Sequence, residues 1–331
     1  MALMAFGDEH VWLRHGMALA CLLVFMLLDI DPGVSPATYR LPDEVRSHSL
    51  WMHPLTALLN LYFLLYLMQT DAMGRSRLER ELGMAVVDKQ FELYYQPQVN
   101  VQGRVVGAEA LLRWMHPQRG LIGPGEFIRL AEKTGLIVSL GRWVLEVACK
   151  QLQVWSGYSM TRHLSLAVNI SEVQFAQADF VEQVLALIAH YKIDASRLEL
   201  EFTESMLVDD IEDRIDKMST LRAHGVRFSM DDFGTGFSSL NKLKLLPLNK
   251  LKIDQSFVRD LLTDPYDVAI VRTVLALGQS LDLTVLVKGV ETKGQRQCLV
   301  DYGCHLFQGY LYGHPIPAAD FNAFLIAHEP V

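Results

Sequence analysis

The sequence predicts an α/β fold, a (β/α)8-type barrel, because strand and helix patterns alternate along roughly 240 residues. Eight short segments have the composition of strands: 91–99, 105–112, 164–170, 197–203, 227–231, 249–253, 284–287 and 305–308. Amphipathic stretches that predict helices lie between most of them, among them 137–156, 177–192, 208–224 and 266–281. Eight strands at this length favour a barrel. The first two strands are separated only by a short turn, Val101-Gln102-Gly103, and are predicted to form a hairpin that interrupts the alternation.

Composition limits the classes of partner. The chain has 331 residues and a formal net charge of −8. DNA or RNA is not an expected partner, because its phosphates require a basic patch. The four cysteines (Cys21, Cys149, Cys298 and Cys304) form no CxxC pair and have no metal-ligand spacing with histidine. This pattern indicates a reducing compartment without a disulfide framework.

Two long apolar segments, 11–30 and 50–68, precede the barrel pattern. A membrane helix needs about 20 such residues. Three arginines follow the second segment, at positions 75, 77 and 80, whereas acidic residues outnumber basic ones between the segments. By the positive-inside rule, both ends of the hairpin lie in the cytoplasm. Residues 1–70 are therefore predicted to anchor the chain in the inner (cytoplasmic) membrane through a hydrophobic helical hairpin, with the barrel domain in the cytoplasm.

The sequence offers two alternatives to this anchor. His53, Pro54 and Asn60 interrupt the second apolar segment, so the pair could instead be core helices. A cleaved signal peptide is disfavoured, because Asp8 and Glu9 precede the first segment and no A-x-A site follows it. The next stretch, 71–90, is charged and lacks proline, which predicts a linker helix able to pair with a second copy. The remaining residues, 91–331, form the predicted barrel domain.

Polar residues occur near the C-terminal ends of the strands, where (β/α)8 enzymes place their active sites. They are Glu109 and Arg113, Asn169, Glu201 and Glu204, Asp231 and Asp232, Lys252 and Asp254, Lys288 and Glu291, and Gln308. A carboxylate buried in a strand needs a partner or a metal. So many acidic groups on one edge would repel one another, which predicts a bound cation. Hard oxygen ligands suit Mg²⁺, Mn²⁺ or Ca²⁺.

These residues are compatible with phosphoryl chemistry. Adjacent aspartates such as Asp231 and Asp232 can place one carboxylate between two ions, as two-metal displacement at phosphorus requires. Lys252 could then stabilise charge on the phosphoryl oxygens or orient a water molecule. Taken alone, Lys252 could equally form a surface ion pair.

Eight stretches of the sequence together resemble the EAL domain family: YYQPQV, AEALLRW, HPQRGLIGPGEFIRLAEKTGLI, AVNIS, LEFTES, MDDFGTGFSSL, LKIDQSFV and QGYLYGHPIP. The resemblance extends from about Phe91 to Phe324, with the motifs in order. The family comprises cyclic di-GMP phosphodiesterases and their degenerate relatives. The resemblance implies a modified TIM barrel with one antiparallel strand and a homodimer formed through the barrel. It also implies two Mg²⁺ or Mn²⁺ ions and hydrolysis of one phosphodiester of cyclic di-GMP to give pGpG.

The resemblance also assigns roles by position. Glu109, Asn169, Glu201 and Asp231 match metal ligands, with Asp231 bridging two ions and Asp232 serving the second. Lys252 matches the lysine that holds the attacking water or the phosphate. Gln96 and Arg113 match ligand-holding residues, and Gln308 matches a glutamine near the second ion. Residues 231–237 match a loop that couples metal binding to dimerisation, and Glu291 matches the glutamate that supports this loop.

One residue departs from the family pattern. The chain has Val287-Lys288-Gly289-Val290-Glu291 where family members usually have Ala-Glu-Gly-Val-Glu. The glutamate replaced by Lys288 serves in the family as a second-metal ligand or general base. An ammonium group cannot ligate a cation, and it is a poor base at pH 7 unless its pKa is strongly depressed. The expectation is an intact fold, retained cyclic di-GMP binding, and weak or absent hydrolysis.

Three functional interpretations remain open on the sequence. The chain could be an active membrane-anchored phosphodiesterase or a catalytically inactive cyclic di-GMP receptor that acts through dimerisation or a partner protein. In the receptor, Lys288 could replace the second metal as a fixed cation. A scaffold that binds no ligand is disfavoured, because Arg113, Gln96 and the metal ligands would then have no reason to occur together.

Overall fold

The structure, a computed structural model, describes residues 58–62, 78–203, 206, 211–234 and 243–327. The chain divides into two compact units, Met1–Leu78 and Glu79–Val331. Most of the predicted hydrophobic hairpin and residues 71–77 of the predicted linker helix lie outside the described residues. Within the described ranges, no helix has both the length and the apolar character that a membrane crossing requires.

Eight strands close into a barrel in the second unit. The strands, with two short additional ones, are β1 Phe91–Asn100, β2 Val105–His116, β3 Gly120–Ile122, β4 Ser165–Asn169, β5 Leu198–Thr203, β6 Arg227–Phe233, β7 Lys250–Ile253, β8 Thr284–Val287, β9 Leu306–Gln308 and β10 Ile316–Pro317. Around the barrel the order is β1-β2-β4-β5-β6-β7-β8-β9, and the pairing of β9 with β1 closes it. The eight strands predicted from the sequence are all present, and the (β/α)8-type barrel is confirmed.

The first strand is the antiparallel one. β1 runs antiparallel to β2 and to β9. The other six neighbouring pairs of the barrel are parallel: β2–β4, β4–β5, β5–β6, β6–β7, β7–β8 and β8–β9. The turn between β1 and β2 is tight because Asn100 Oδ1 accepts hydrogen bonds from the backbone N–H groups of Gln102 and Arg104, at 3.0 Å each. Gly103 adopts a left-handed conformation, with φ 78°, which glycine adopts without steric penalty. The predicted hairpin is confirmed.

Helices follow most of the strands. They are Pro124–Thr134, Leu136–Ser156, Glu172–Phe175, Phe180–Tyr191, Ile211–Ala223, Ser256–Arg259, Pro265–Ser280, Lys293–Asp301 and Ala318–Ala327, with a 3-10 turn at Ala195–Arg197. The four helices predicted from the sequence are present to within a few residues. The helix Leu136–Ser156 buries Leu140, Val144, Ala148 and Leu152 at four-residue intervals, which places them on one face against the barrel.

The helical residues 79–87 pack within the same unit as the barrel. Leu82 and Ala85 are completely buried. Just after this segment, the side-chain Oε1 of Gln90 accepts a hydrogen bond from the indole Nε1 of Trp114, at 3.0 Å. The backbone carbonyl of Gln90 accepts one from the backbone N–H of Met115. The segment is thereby attached to β2, the strand that carries Glu109.

Strand alternation places charged side chains inside the barrel. In β5, Glu199 and Glu201 point to the interior while Leu198, Leu200 and Phe202 point outward toward the helices. The ammonium group of Lys250 in β7 lies 2.7 Å from Glu199 Oε2, across the intervening strand β6. The carboxylate of Glu199 and the ammonium of Lys250 therefore form a first polar layer, and Glu201 and Lys252 begin a second layer nearer the carboxyl ends of the strands.

Candidate functional site

The predicted site residues converge at the carboxyl ends of the parallel strands. β2 supplies Glu109, β4 Asn169, β5 Glu201, β6 Asp231 and Asp232, β7 Lys252, the end of β8 Lys288, and β9 Gln308. The parallel register places Asn169 opposite Glu201, and Asp231 lies opposite Thr203, two residues beyond Glu201. Residues scattered over 200 positions of sequence thus form one cluster, which we call the rim cluster.

Three carboxylates lie at the centre of the rim cluster. Glu109, Glu201 and Asp231 are buried, and one oxygen from each lies within 4.8 Å of the others. The ammonium of Lys252, fully buried, is 2.7 Å from Glu109 Oε2, 2.7 Å from Glu201 Oε2 and 3.8 Å from Asp231 Oδ1. These three oxygens could converge on one divalent ion, and hard oxygen donors fit Mg²⁺ or Mn²⁺. The triad is a possible metal site, in which the ion would share the carboxylates with Lys252.

Glu109 is held from several directions. Asn169 Nδ2 donates to Glu109 Oε1 at 2.8 Å, and Gln308 Nε2 donates to Glu109 Oε2 at 2.8 Å. Burial by itself would raise the pKa of Glu109, but the ammonium groups of Lys252 and Lys288 outweigh it and lower that pKa to about 2. Glu109 is therefore an ionised, oriented oxygen donor at neutral pH.

The charges of the other two buried groups are set by their neighbours. Burial raises the pKa of Glu201 well above its ordinary value, and the nearby carboxylate of Glu109 adds to this. Burial acts in the opposite sense on Lys252, yet the carboxylates of Asp231, Glu109 and Glu201 raise its pKa well above the usual lysine value. Lys252 therefore stays protonated, as a positioned cation rather than a base.

Lys288 joins the rim cluster through both aspartates. Its Nζ lies 2.8 Å from Asp231 Oδ1, 2.9 Å from Asp231 Oδ2 and 2.6 Å from Asp232 Oδ1. Burial and the charge of Lys252 lower the pKa of Lys288, but the carboxylates outweigh both effects and raise it above the ordinary lysine value. The ammonium group is thus held on the carboxylates that the family resemblance assigns to the second ion, and it is not available as a general base.

A local irregularity of β6 makes this double contact possible. Successive side chains of a strand normally point to opposite faces. The β6–β7 register shifts between Met230 and Phe233, and Asp232 takes a left-handed conformation with φ 52°. Aspartate tolerates this conformation better than most residues. Because of the irregularity, both carboxylates of the Asp231-Asp232 pair reach the same ammonium group.

Two glycines bring backbone segments together beside Lys288. Gly289 has φ 73°, and a Cβ there would lie 2.4 Å from the Cβ of Gln255. A Cβ on Gly309, the residue after Gln308, would lie 2.2 Å from the carbonyl oxygen of Val290. Only glycine fits such approaches, so the chain around Lys288 and Gln308 is tightly constrained.

Two cavities open beside Glu109. One, of about 280 Å³, is lined by residues that include Gln96, Asp232, Lys288, Gln308 and Tyr310. The other, of about 650 Å³, is lined by Asn169 and by apolar residues such as Ile128, Ile137 and Val173. Leu111 and Glu109 line both cavities. A ligand that reaches into both would therefore pass over the carboxylate triad.

The remaining predicted site residues lie at different distances from the triad. Gln96 Oε1 accepts a hydrogen bond from Gln308 Nε2 at 3.0 Å, so Gln96 contacts the rim cluster through Gln308. Arg113 lies apart from the ion pairs, with Nη1 donating to the carbonyl of Leu112 and its guanidinium 5.6 Å from the ring centroid of Tyr94. Glu291 is exposed and lines the smaller cavity. Glu204 and residues 235–237 of the predicted metal-coupled loop lie outside the described residues.

The sequence prediction missed three polar groups near the site. Gln98 Nε2 donates to Gln308 Oε1 and Ser229 Oγ donates to Glu201 Oε1, at 3.3 Å each. Gln98 stands two residues from Gln96 and Ser229 two from Asp231, so strand alternation was the signal available for both. The third is Tyr310, an exposed side chain that lines the smaller cavity and stacks on His314, with ring centroids 4.0 Å apart.

Comparisons with known proteins agree with this geometry. The family model described as the EAL domain matches residues 79–315. The chain is 44% identical over 259 residues to the bifunctional diguanylate cyclase/cyclic di-GMP phosphodiesterase MucR of Pseudomonas aeruginosa, covering 77% of this chain and 37% of MucR. It is 41% identical over 259 residues to an uncharacterized protein of Synechocystis, covering 78% of this chain and 37% of that protein.

A solved structure is also similar. A PaMucR phosphodiesterase in complex with c-di-GMP is 45% identical and superposes with a TM-score of 0.71, covering 74% of this chain and 99% of that one. The chain spans only 37% of the length of the two curated relatives, and the similarity to them concerns that part alone.

Proposed function

The chain belongs to the EAL domain family, and on that premise we propose that it binds cyclic di-GMP at the rim cluster and hydrolyses it to pGpG only weakly. The observation that carries the proposal is the position of Lys288, whose ammonium group binds Asp231 and Asp232 directly. A second candidate function, an inactive cyclic di-GMP receptor, is favoured by the same contact.

Binding is supported by the shape and donors of the site. The two cavities on either side of Glu109 provide room for a ligand with two bases. Tyr310 presents an exposed ring at the smaller cavity, and aromatic rings stack on bases of any sequence. The ammonium group of Lys288 lines the smaller cavity, and the guanidinium of Arg113 interacts with Tyr310 and Glu109. Both supply positive charge for phosphates in an otherwise acidic chain.

Weak hydrolysis is supported by the missing base. Hydrolysis of one phosphodiester requires water to attack phosphorus, the bond to the leaving ribose oxygen to break, and a group to accept the proton of the water. A divalent ion, when bound, would supply Lewis-acid stabilisation of the phosphoryl oxygens. Lys252 would orient the phosphate or the water, whereas protonated Lys288 accepts no proton. The site therefore retains binding and charge stabilisation without a positioned base.

A direct titration tests the binding part of the proposal. The full chain is expected to bind cyclic di-GMP in isothermal titration calorimetry, and Tyr310→Ala is expected to weaken the affinity about tenfold through the loss of base stacking. Tyr266→Ala is a matched control, because Tyr266 is also an exposed tyrosine and does not line either cavity. If the titration releases no heat and the same samples contain no pGpG, ligand binding is refuted, and the interpretation that remains is a scaffold that binds no ligand.

For the rest of the chain, we propose that the apolar hairpin within residues 1–70 anchors the protein in the inner membrane with the barrel in the cytoplasm, and that the barrel forms a homodimer. The length of the two apolar segments and the arginines after them support the anchor. Fractionation of cells producing the full chain should recover it with membranes, and recovery in the soluble fraction would refute the anchor. Sedimentation as a monomer in detergent would refute the dimer.

A further inference from the structure

We infer that the Lys288 ammonium group occupies the position of a second cation, so that the rim cluster holds a single divalent ion. This inference rests on the proposed function only in assuming that the carboxylate triad binds a divalent ion. It concerns how many ions this chain takes and which of its own residues replaces one of them.

The contacts of Lys288 resemble those of a bound cation. Its Nζ is within 2.9 Å of both oxygens of Asp231 and 2.6 Å from Asp232 Oδ1. Asp231 Oδ1 is also the oxygen that lies 3.8 Å from Lys252 Nζ, on the side of the triad. Asp231 therefore lies between two ammonium groups of the chain, that of Lys252 on the side of the triad and that of Lys288 on the side of Asp232.

The ammonium group is fixed in this position rather than drawn in from solvent. The backbone N–H of Lys288 donates to the carbonyl of Ile253 at 3.0 Å, and the next residue, Gly289, packs its backbone against Gln255. The side chain of Lys288 is only 20% exposed. An ion entering between Asp231 and Asp232 would have to displace a partly buried ammonium group from three oxygen atoms, and it would meet that positive charge at short range.

Charge balance leads to the same count. The cluster contains four carboxylates (Glu109, Glu201, Asp231 and Asp232) and two ammonium groups (Lys252 and Lys288). Replacing Lys288 with glutamate would make the charge of this group of residues more negative by two, which is the charge that one further divalent ion supplies. Asp254 also lines the cavity, and its carboxylate interacts with Lys288 and Asp232. Glu291 lines the same cavity and is exposed.

Manganese titration of the full chain, without nucleotide, tests this count. Electron paramagnetic resonance of free Mn²⁺ and calorimetry should give one tightly bound ion per wild-type chain and two per chain for Lys288→Glu. Lys288→Met removes the ammonium group and frees Asp231 and Asp232, so it should bind the first ion about tenfold more tightly than the wild type because one repelling charge is gone. It should also bind a second ion, but more weakly than Lys288→Glu does, because it offers no carboxylate at position 288. Thermal unfolding of each variant checks that the fold is retained.

Two bound ions in the wild type would overturn the inference, and so would none. A count of one in both the wild type and Lys288→Glu would also overturn it, because Lys288 would then not be what excludes the second ion. The measurement uses metal alone, so failure of cyclic di-GMP binding and failure of the single-ion count can be distinguished.

Discussion

Replacing Lys288 with glutamate is expected to raise the rate of pGpG formation from cyclic di-GMP by about 10²-fold or more, since a positioned general base typically contributes 10²- to 10⁴-fold. In the wild type the ammonium group is held by Asp231 and Asp232 and keeps its proton. Glutamate would release both aspartates and place a carboxylate at the same strand end. The experiment measures, by chromatography, the rate at which the full chain with Mn²⁺ produces pGpG.

The substitution Lys288→Glu both removes a positive charge and supplies a base, and a matched variant separates these two effects. Lys288→Met removes the positive charge but supplies no base and no ligand, so its rate should stay within a few-fold of the wild type. If Lys288→Met gained as much activity as Lys288→Glu, removal of charge alone would explain the increase. Wild-type turnover equal to that of Lys288→Glu would show that Lys288 does not limit hydrolysis, and the proposed weak activity would be wrong.

The second large effect is expected on stability, at the first polar layer of the barrel. Lys250→Met should lower the free energy of unfolding by about 3–5 kcal/mol, because removing one partner of a buried ion pair leaves the other charge uncompensated. Glu199 is 2% exposed, and both of its oxygens bind the Lys250 ammonium, at 2.8 and 2.7 Å. Urea unfolding followed by circular dichroism measures the change.

The double variant Lys250→Met with Glu199→Leu is the control. It removes both charges and leaves apolar side chains of similar size, which is often neutral or stabilising for a buried ion pair. Most of the lost stability should therefore return. If the single variant is as stable as the wild type, or the double variant is less stable than the single, the pair does not act as a buried ion pair. Because this layer lies away from the triad, the metal count of the double variant should be unchanged.

Most of the barrel could be predicted from the sequence, because strand and helix patterns alternate along the chain. β5 alternates charged and apolar residues over Leu198–Thr203, and β8 is an apolar run that ends at Lys288. Two strands escaped prediction: β3, of three residues, and β10, of two. β3 is hydrogen-bonded to β2 and β10 to β1, so each is a short addition to a longer strand that its own residues do not indicate.

The candidate site was predictable as a set of residues but not as a set of contacts. Parallel strands bring their carboxyl ends to one edge, so Glu109, Glu201 and Lys252 could be grouped from strand ends alone. The partner of each lysine could not be assigned. Lys252 contacts Glu109, which is 143 positions away, and only closure of the barrel sets that distance. Lys250 and Glu199 share strand faces with Lys252 and Glu201, yet nothing in a single strand shows that they meet.

The sequence by itself determined the barrel, the acidic edge and the lysine at position 288, because periodicity and residue chemistry are local properties of the chain. The tertiary structure alone decided what that lysine does. The irregularity in β6 turns Asp231 and Asp232 toward the same point, and the end of β8 places the Lys288 ammonium between them. The physical reason is that an ion pair depends on distances of a few ångströms across the barrel, and these distances exist only once all eight strands have closed.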